Sequence, residues 1–521
     1  MKYILATILT LCLFSSCKDY LQDELLSETS ADFLYNTPAG ITSAVTGLYN
    51  LNRQLYEDGE WNYARAVTLQ AKSDLVFTRT GEIALYGFLT WGRTVNDFGT
   101  RRYSRFWRHY YRLVDRSNAV ITAAEKNAEM DEAAKTQAIA EAKCMRANSY
   151  FTLYRLFHNI FITTEPTTPE NAFDVPSDKS SEEEIFALLN SDLNYAIENL
   201  DWTTDEFGRW TQASARHLKA KVAVRQEDWT EAAAQTDAVI NNENYSLVAK
   251  TSDVFKGDMN NSETLFAIQF EDGVIGGSTA NRIHFNFIAQ YQRAQGAEFS
   301  IANGGRGAGF LLLNDYLRGL LAEDPNDNRD DGTYYISAYT YNNPEDLPEG
   351  IKVGDTINLY DQYSEDPNEY RQYYLVQNPG TLKFLQEDAV PSEASTISNI
   401  MIYRLAETYL IGAEAHMELG NTDQALEYLN PVRNRAHAAS LDTIDQQTIL
   451  DERARELAFE GQRWYTIKRM GVLVSQIKKY AGNDNWRNIA RERIEPHMVN
   501  WPIPESELDL LGPGYPQNDG Y

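Results

Sequence analysis

A mainly α-helical fold is what the sequence predicts: a body of helix hairpins carrying a loop-rich insertion with a few short strands. Three observations lead there. Apolar residues recur at three- and four-residue steps over long stretches in both halves of the chain. Two such stretches, Ala213 to Asn241 and Ile402 to Arg435, carry small residues and a central break at matching places. Between them, from 245 to 398, the pattern changes to short apolar runs split by Gly, Asn, Asp and Pro clusters.

Residues 1–17 hold one basic residue, Lys2, an apolar run from Tyr3 to Phe14, then Ser15, Ser16 and Cys17. That run is shorter than the roughly 20 apolar residues a spanning helix needs, so it reads as a secretion signal. Two small residues before a cysteine read as a lipobox, with Cys17 as the lipid-bearing residue, although Phe14 stands where Leu is usual. Residues 18–36 follow as an acidic tether.

A helical region is expected over 37–244. Periodicity runs from Pro38 to about Ala128, with Phe106, Trp107, Tyr110, Tyr111, Val114 and Val120 forming a core stripe. A helix from Ala133 to about Phe157 comes next. After a Pro-, Thr- and Ser-rich connection, Ser180-Ser181-Glu182-Glu183-Glu184 is a helix start, its hydroxyl and acidic groups matching free amides. That helix runs from Glu182 to about Asn199. The stretch Ala213 to Asn241 breaks at Gln226-Glu227-Asp228, and Ile402 to Arg435 breaks at Gly420-Asn421. Both resemble tetratricopeptide units of about 34 residues, in which small side chains let two helices approach closely. Residues 245–398 form the insertion, with strands expected at Thr264 to Phe270 and Thr333 to Tyr341. Loops of this kind, carried on a rigid scaffold, tend to hold function. Residues 399–521 return to helix.

The formal net charge is −28, and removing 1–17, whose only charged residue is Lys2, leaves −29. Nucleic-acid phosphates and anionic membranes both want Lys and Arg, so neither is an expected electrostatic partner. Of three cysteines, Cys12 lies in the signal and Cys17 is the lipid site, leaving Cys144 alone without a disulfide partner. Stability then rests on the core that 521 residues can build. Aromatic residues make up 12% of the chain, with 32 Tyr and 9 Trp, a supply that suits either packing or stacking on sugar rings.

Catalytic motifs do not emerge. His109, His158, His217, His284, His416, His437 and His497 fall in no metal-ligand spacing. Gly304-Gly-Arg-Gly-Ala-Gly-Phe310 lacks the Lys of a phosphate loop and the third Gly of a dinucleotide loop, so it reads as a flexible loop before a helix at Leu311. The run Asp324 to Gly332, read as an EF-hand loop from Asp327, fails the pattern, with Arg329 at position three and Ala338 at position twelve. No cofactor or metal is expected, an incidental calcium ion at that acidic run being the one open alternative. Carboxylate pairs for glycoside cleavage have no local signature.

The C-terminal third carries longer motifs. Tyr403-Arg-Leu-Ala-Glu-Thr-Tyr-Leu410, Ala413-Glu-Ala415, Gly420 and Leu429-Asn-Pro-Val-Arg433-Asn-Arg435-Ala436 come first. Glu452-Arg-Ala-Arg-Glu-Leu457-Ala-Phe-Glu-Gly461-Gln-Arg-Trp464 follows, and the chain closes with Trp501-Pro-Ile-Pro504 and Gln517-Asn-Asp-Gly-Tyr521. Together with Trp107 to Asn118, Arg146 to Phe157 and Asp327-Asn-Arg329, these resemble the SusD/RagB family of outer-membrane nutrient-binding lipoproteins over nearly the whole chain. One departure stands out: Thr466 replaces the acid of the family's x-D-L-x-R element. The family's block places Arg453, Glu456, Glu460 and Arg463 three or four apart on one helix, where exposed opposite charges support each other by a few tenths of a kcal/mol. Their expected role is to hold the fold.

The resemblance implies a SusD-like helical body with four tetratricopeptide-like units and a loop-rich face that captures glycans without chemistry. It implies a partner too, a SusC-like TonB-dependent transporter, and a lipid anchor at the cell surface that the acidic run Lys18 to Glu24 would direct. The expected ligand groups are exposed loop aromatics: Trp91 and Tyr86 between Gly81 and Thr100, with Phe287 and Tyr291 from the insertion. Arg79, Asn96 and Gln295 are the polar candidates. For each, packing is the competing role. Peptide capture, as in the RagB branch, is the alternative function, and it would need an extended groove with backbone-directed hydrogen bonds.

Overall fold

The computed structural model describes residues 31–57, 69–79, 100–271, 273, 280–359, 370–484 and 489–521. Helix α1 (Ala31–Asn36) leads into α2 (Pro38–Arg53), where Thr37 accepts the Gly40 amide and Pro38 takes the first-turn position that needs no amide hydrogen. Strand β1 (Val76–Thr78) is buried along its length. The helical periodicity expected from Pro38 to about Ala128 is therefore interrupted, because Val76, Phe77 and Thr78, with no exposed face, pair into a sheet. Helix α3 (Thr100–Lys126) carries the aromatic stripe, with Phe106, Trp107, Tyr110, Val114 and Val120 buried and Tyr111 half-buried.

Helix α4 (Glu132–Phe157) starts on Asp131, which accepts two first-turn amides, and from Ala138 onward it is buried on nearly every side. Helix α5 (Glu182–Asn199) begins with the reciprocal cap expected there: the Ser181 hydroxyl accepts the Glu184 amide while the Glu184 carboxylate accepts the Ser181 amide. The first predicted unit is α6 (Gln212–Arg225) and α7 (Trp229–Ile240), broken where Asp228 caps α7.

The insertion supplies β2 (Thr264–Ile268), α8 (Ile283–Phe287), β3 (Leu311–Leu313), α9 (Asp315–Ala322) and α10 (Tyr370–Gln377). A helix expected at Leu311 is instead a strand, and α9 begins after Asn314 accepts the Leu317 amide. Thr333 to Tyr341 makes only single bridges, Asp331 to Ile336, Tyr335 to Thr381 and Thr340 to Thr356. It fails to extend as a strand because Tyr334 and Tyr335 both turn inward, their hydroxyls donating to Glu456 and to the Arg455 carbonyl.

The chain then returns through β4 (Ile400–Arg404), which pairs antiparallel with β2 and closes the insertion at its neck. Strand β1 likewise pairs antiparallel with β3, Val76 opposite Leu313. The second predicted unit is α11 (Leu405–Glu418) and α12 (Thr422–Arg435), followed by α13 (Gln446–Leu457), α14 (Arg463–Arg469), α15 (Leu473–Tyr480), α16 (Ile489–Arg493) and α17 (Glu505–Leu511).

Helices α3 to α7 pack each against the next, and α7 then packs on α11. The two predicted units thus stand side by side although the whole insertion separates them in sequence. Their interface is built from Ala220, Ala223, Ala232, Ala233, Ile411 and Ala415, and a Cβ on Gly412 would come within 3.0 Å of the Thr236 hydroxyl on α7. No helix among the described residues is long and apolar enough to cross a membrane.

An ion network seats the insertion on the body. Arg404 reaches Glu263 at 2.8 Å, Glu456 at 2.7 Å and Glu460 at 2.7 Å, and Arg329 reaches Glu452 at 2.7 Å and Asp327 at 2.6 Å. Arg435 pairs with Glu263 and Glu456, and Lys383 with Glu460. The expectation that Arg453, Glu456, Glu460 and Arg463 stand on one helix is overturned. Helix α13 ends at Leu457, Arg463 opens α14, and Arg453, Glu456 and Arg463 are buried. Arg463 holds Asp74 at 2.6 Å, and Arg453 holds Glu407 at 3.0 Å.

Candidate functional site

The main core is followed by a second, separate one beneath the loops of the insertion, formed by Phe77, Ile288, Tyr291, Leu312, Tyr339, Tyr374 and their neighbours. Its centre is Tyr291 stacked on Tyr339, ring centroids 5.0 Å apart and planes 9° from parallel. Both phenols are engaged: the Tyr291 hydroxyl accepts the Ser300 amide at 2.9 Å, and the Tyr339 hydroxyl accepts the Ala289 amide at 3.1 Å. Burial pushes the Tyr291 phenol up to about 12.

Over this floor runs the glycine segment 304–309. It is clamped and not the flexible loop expected from composition. Ala308 donates its amide to the Phe285 carbonyl and Gly309 donates to that of Ile288, both at 2.8 Å. A Cβ on Gly307 would stand 2.2 Å from the Ile288 oxygen, so the glycine is what allows the two backbones to lie together.

This strap fixes three half-buried phenylalanines. Phe285 sits on α8, Phe310 ends the strap, and Phe299 stands edge-on against Tyr291 at 6.4 Å. Arginines lie over them. The exposed Arg306 guanidinium is 5.8 Å from the Phe285 ring and 5.9 Å from that of Phe299, and donates to the Ser392 carbonyl. Arg79, at the end of β1, lies 5.2 Å over Phe310 and donates to the Ala308 carbonyl at 2.9 Å. Ring faces offer stacking and guanidinium groups offer donors, the two kinds of contact that a polyhydroxylated ligand uses. A cavity of about 100 Å³ inside the body, lined by Tyr56, Tyr110 and Tyr403, is well below the ~300 Å³ or more of ordinary ligand sites; open clefts of about 690 Å³ beside Asp205 and Trp210 and about 420 Å³ beside Tyr49 and Arg209 are larger.

The sequence-predicted ligand residues divide in three. Phe287 and Tyr291 are fully buried, Phe287 packing against Phe384 and Phe459, so the expectation of exposed stacking groups fails there. Tyr291 belongs to the second core that floors the site, whereas Phe287 belongs to the main core. Arg79 is in the site, whereas the exposed Gln295 donates to Asp346 at 3.4 Å. Trp91, Tyr86 and Asn96 lie outside the described residues, as does Cys17. Phe285, Phe299, Arg306 and Phe310 were not expected. A signal existed, in that Phe285 and Phe310 flank residues whose glycines require close packing. The seven histidines stay scattered, and among the described residues no three His, Cys, Asp or Glu side chains are grouped to hold a metal. The acidic run from Asp324 instead holds the buried Arg329.

Residues 279–521 match the family described as the SusD family, and residues 19–223 match one described as starch-binding associating with outer membrane. A SusD-like protein of Formosa agariphila is 24% identical over 95% of this chain and 94% of its own. Among solved structures, a laminarin binding SusD-like protein superposes with a TM-score of 0.72 at 22% identity, covering 94% of this chain and all of that one. Surface glycan-binding protein A from Bacteroides fluxus gives 0.72 at 22% identity, covering 93% of this chain and all of that one.

Proposed function

Because the chain belongs to the SusD/RagB family, we propose that it captures oligosaccharides at the cell surface without cleaving them and passes them to a SusC-like TonB-dependent transporter. The observation that carries this reading is the group of half-buried phenylalanines around a clamped strap, with Arg79 and Arg306 over them. The likeness to proteins named for binding laminarin and surface glycans supports a sugar as the ligand. Trp91, Tyr86 and Asn96, which follow Arg79 in sequence, complete the site in this proposal, and Cys17 carries the lipid.

Calorimetry of the purified protein against a panel of β-glucans, α-glucans, other plant and algal oligosaccharides, and peptides tests it. Binding of a glycan without release of reducing sugar is expected. Phe299→Ala and Arg306→Ala should each weaken that binding about tenfold, the size of one aromatic or cation contact. Peptide binding with no glycan binding would overturn the reading, as would full affinity in both variants. For the anchor, Cys17→Ala should move the protein from the membrane to the soluble fraction.

A further inference from the structure

A smaller cavity of about 40 Å³, room for roughly three waters or one small polyatomic ion, lies within the helical body. It opens where the last turns of α4, α6 and α14 meet α11 and α13. Phe151, Val224 and Ile411 give it an apolar floor, and its walls are cationic. In a chain of net charge −28 that surplus is local.

Some of these cations are paired. Arg469 holds Glu414, Lys221 holds Glu407 at 2.7 Å, and Arg225 lies 3.6 Å from Glu182 at the rim. Others are not. Arg155 has no carboxylate partner among the described residues; its guanidinium is held between Phe151 and Tyr465, 4.2 and 3.8 Å from the ring centroids, and donates only long bonds to the Phe151 carbonyl and the Thr152 hydroxyl, at 3.3 and 3.4 Å. Lys468 also lacks one, donating to the Arg155 carbonyl and lying 4.8 Å over Trp464. Arg453, 5% exposed, gives one nitrogen to Glu407 at 3.0 Å and leaves Nε and Nη1 with no acceptor.

Basic residues in last turns also answer the helix dipoles, each worth about half a negative charge. That accounts for Arg155, Arg225 and Lys468 standing where they do. It supplies no acceptor for the two open nitrogens of Arg453, which lies on another helix. Mutual repulsion remains: burial, then Arg225 and Arg155, hold the Lys468 ammonium well below its usual range.

We propose that this cavity binds a small oxyanion of the phosphate or sulfate class, with Arg155, Arg453 and Lys468 donating to its oxygens. The site is separate from the loop face and does not depend on what that face binds. Thr466, buried on the cavity wall, gives a direct test. In Thr466→Asp a carboxylate takes the place of the ligand.

Thermal unfolding of the purified protein in 10 mM sodium phosphate or sulfate, against chloride at equal ionic strength, should show a midpoint raised by about 2–3 °C. Thr466→Asp should lose that rise, and its own melt in chloride reports that it folds. Lys468→Gln, at a half-buried position, should lose most of the rise and carries the test if Thr466→Asp does not fold. A wild-type midpoint indifferent to phosphate and sulfate overturns the proposal. So does an equal rise in the variants, which would mean an adventitious ion only. Glucose 6-sulfate run in parallel distinguishes the sources: a matching rise assigns an esterified group, and its absence a free ion.

Discussion

Glu456 has no exposed surface and is shared by Arg404, Arg435 and Arg329, with Tyr334 donating to the same carboxylate. Burial alone would raise its carboxyl, but the three guanidinium groups outweigh burial and hold it well below the ordinary range. Glu452, among Arg329, Arg433 and Arg455, is lowered in the same way. Breaking such a group strands buried charge, so Glu456→Gln should cost about 3–5 kcal/mol in urea unfolding. The pH dependence follows in sign. A glutamate in the unfolded chain titrates near ~4.3, above its folded value, so the unfolded state binds more protons in acid. Stability should be level above about pH 6 and fall as pH drops below about 5. Urea midpoints at pH 7, 5, 4 and 3.5 check this, and Glu456→Gln should flatten the fall; an unchanged slope would place the acid sensitivity elsewhere. At this scale the sequence was half legible. Spacing identified Glu456 and Arg453 as residues that hold the fold, but burial and partners such as Glu263 and Asp327 come from distant segments and leave no local trace. Phe287 and Tyr291 were misjudged for the same reason, since an aromatic on a loop carries no mark of what lies over it.

The strap 304–309 is the element on which the candidate site depends. Gly307 has an ordinary backbone angle, so alanine there is excluded by space and not by conformation. Its Cβ would meet the Ile288 and Ala289 oxygens at 2.2 and 2.3 Å, and backbone cannot turn aside as a side chain can. Gly307→Ala should therefore lift the strap, cost about 1–3 kcal/mol, and weaken glycan binding through Phe285 and Phe310, although residue 307 itself offers a ligand nothing. Calorimetry with a chemical melt separates the two effects, and full affinity in the folded variant would remove the strap from the site. Helix hairpins were the elements best read from sequence. The breaks at Asp228 and Gly420 and the cap at Ser181 are local chemistry, set by side chains within four residues of the turn. Short strands were read worst: Leu311 to Leu313 is three residues long, and only its partner β1 makes it a strand.

Across the whole molecule, the first and second halves of the chain share one core, and the last residues lock it. Trp501 is buried against Tyr103 and Phe106 of α3, Phe157 of α4 and Trp464 of α14, with ring centroids 5.0 to 5.9 Å apart. Its backbone amide donates to the Leu156 carbonyl at 2.8 Å. The closing motif that looked in sequence like a family signature has a mechanical role. Gln517 exchanges two hydrogen bonds with Ile503, at 2.9 and 2.7 Å, while Asn518 donates to the carbonyls of Phe157 and Trp501. Removing 517–521 takes the side-chain donors from the Ile503 and Trp501 carbonyls, at about 1–3 kcal/mol each, while Phe157 keeps the Asn159 amide, and it releases the segment that seats Trp501. The deletion should lower the thermal midpoint by several degrees. Far-UV circular dichroism and tryptophan fluorescence should move together, because α3 and α4 lose their packing when Trp501 leaves. An unchanged midpoint would mean that the tail only decorates the core. Two separate transitions would mean that the halves fold apart, and that the ion network alone joins the insertion to the body.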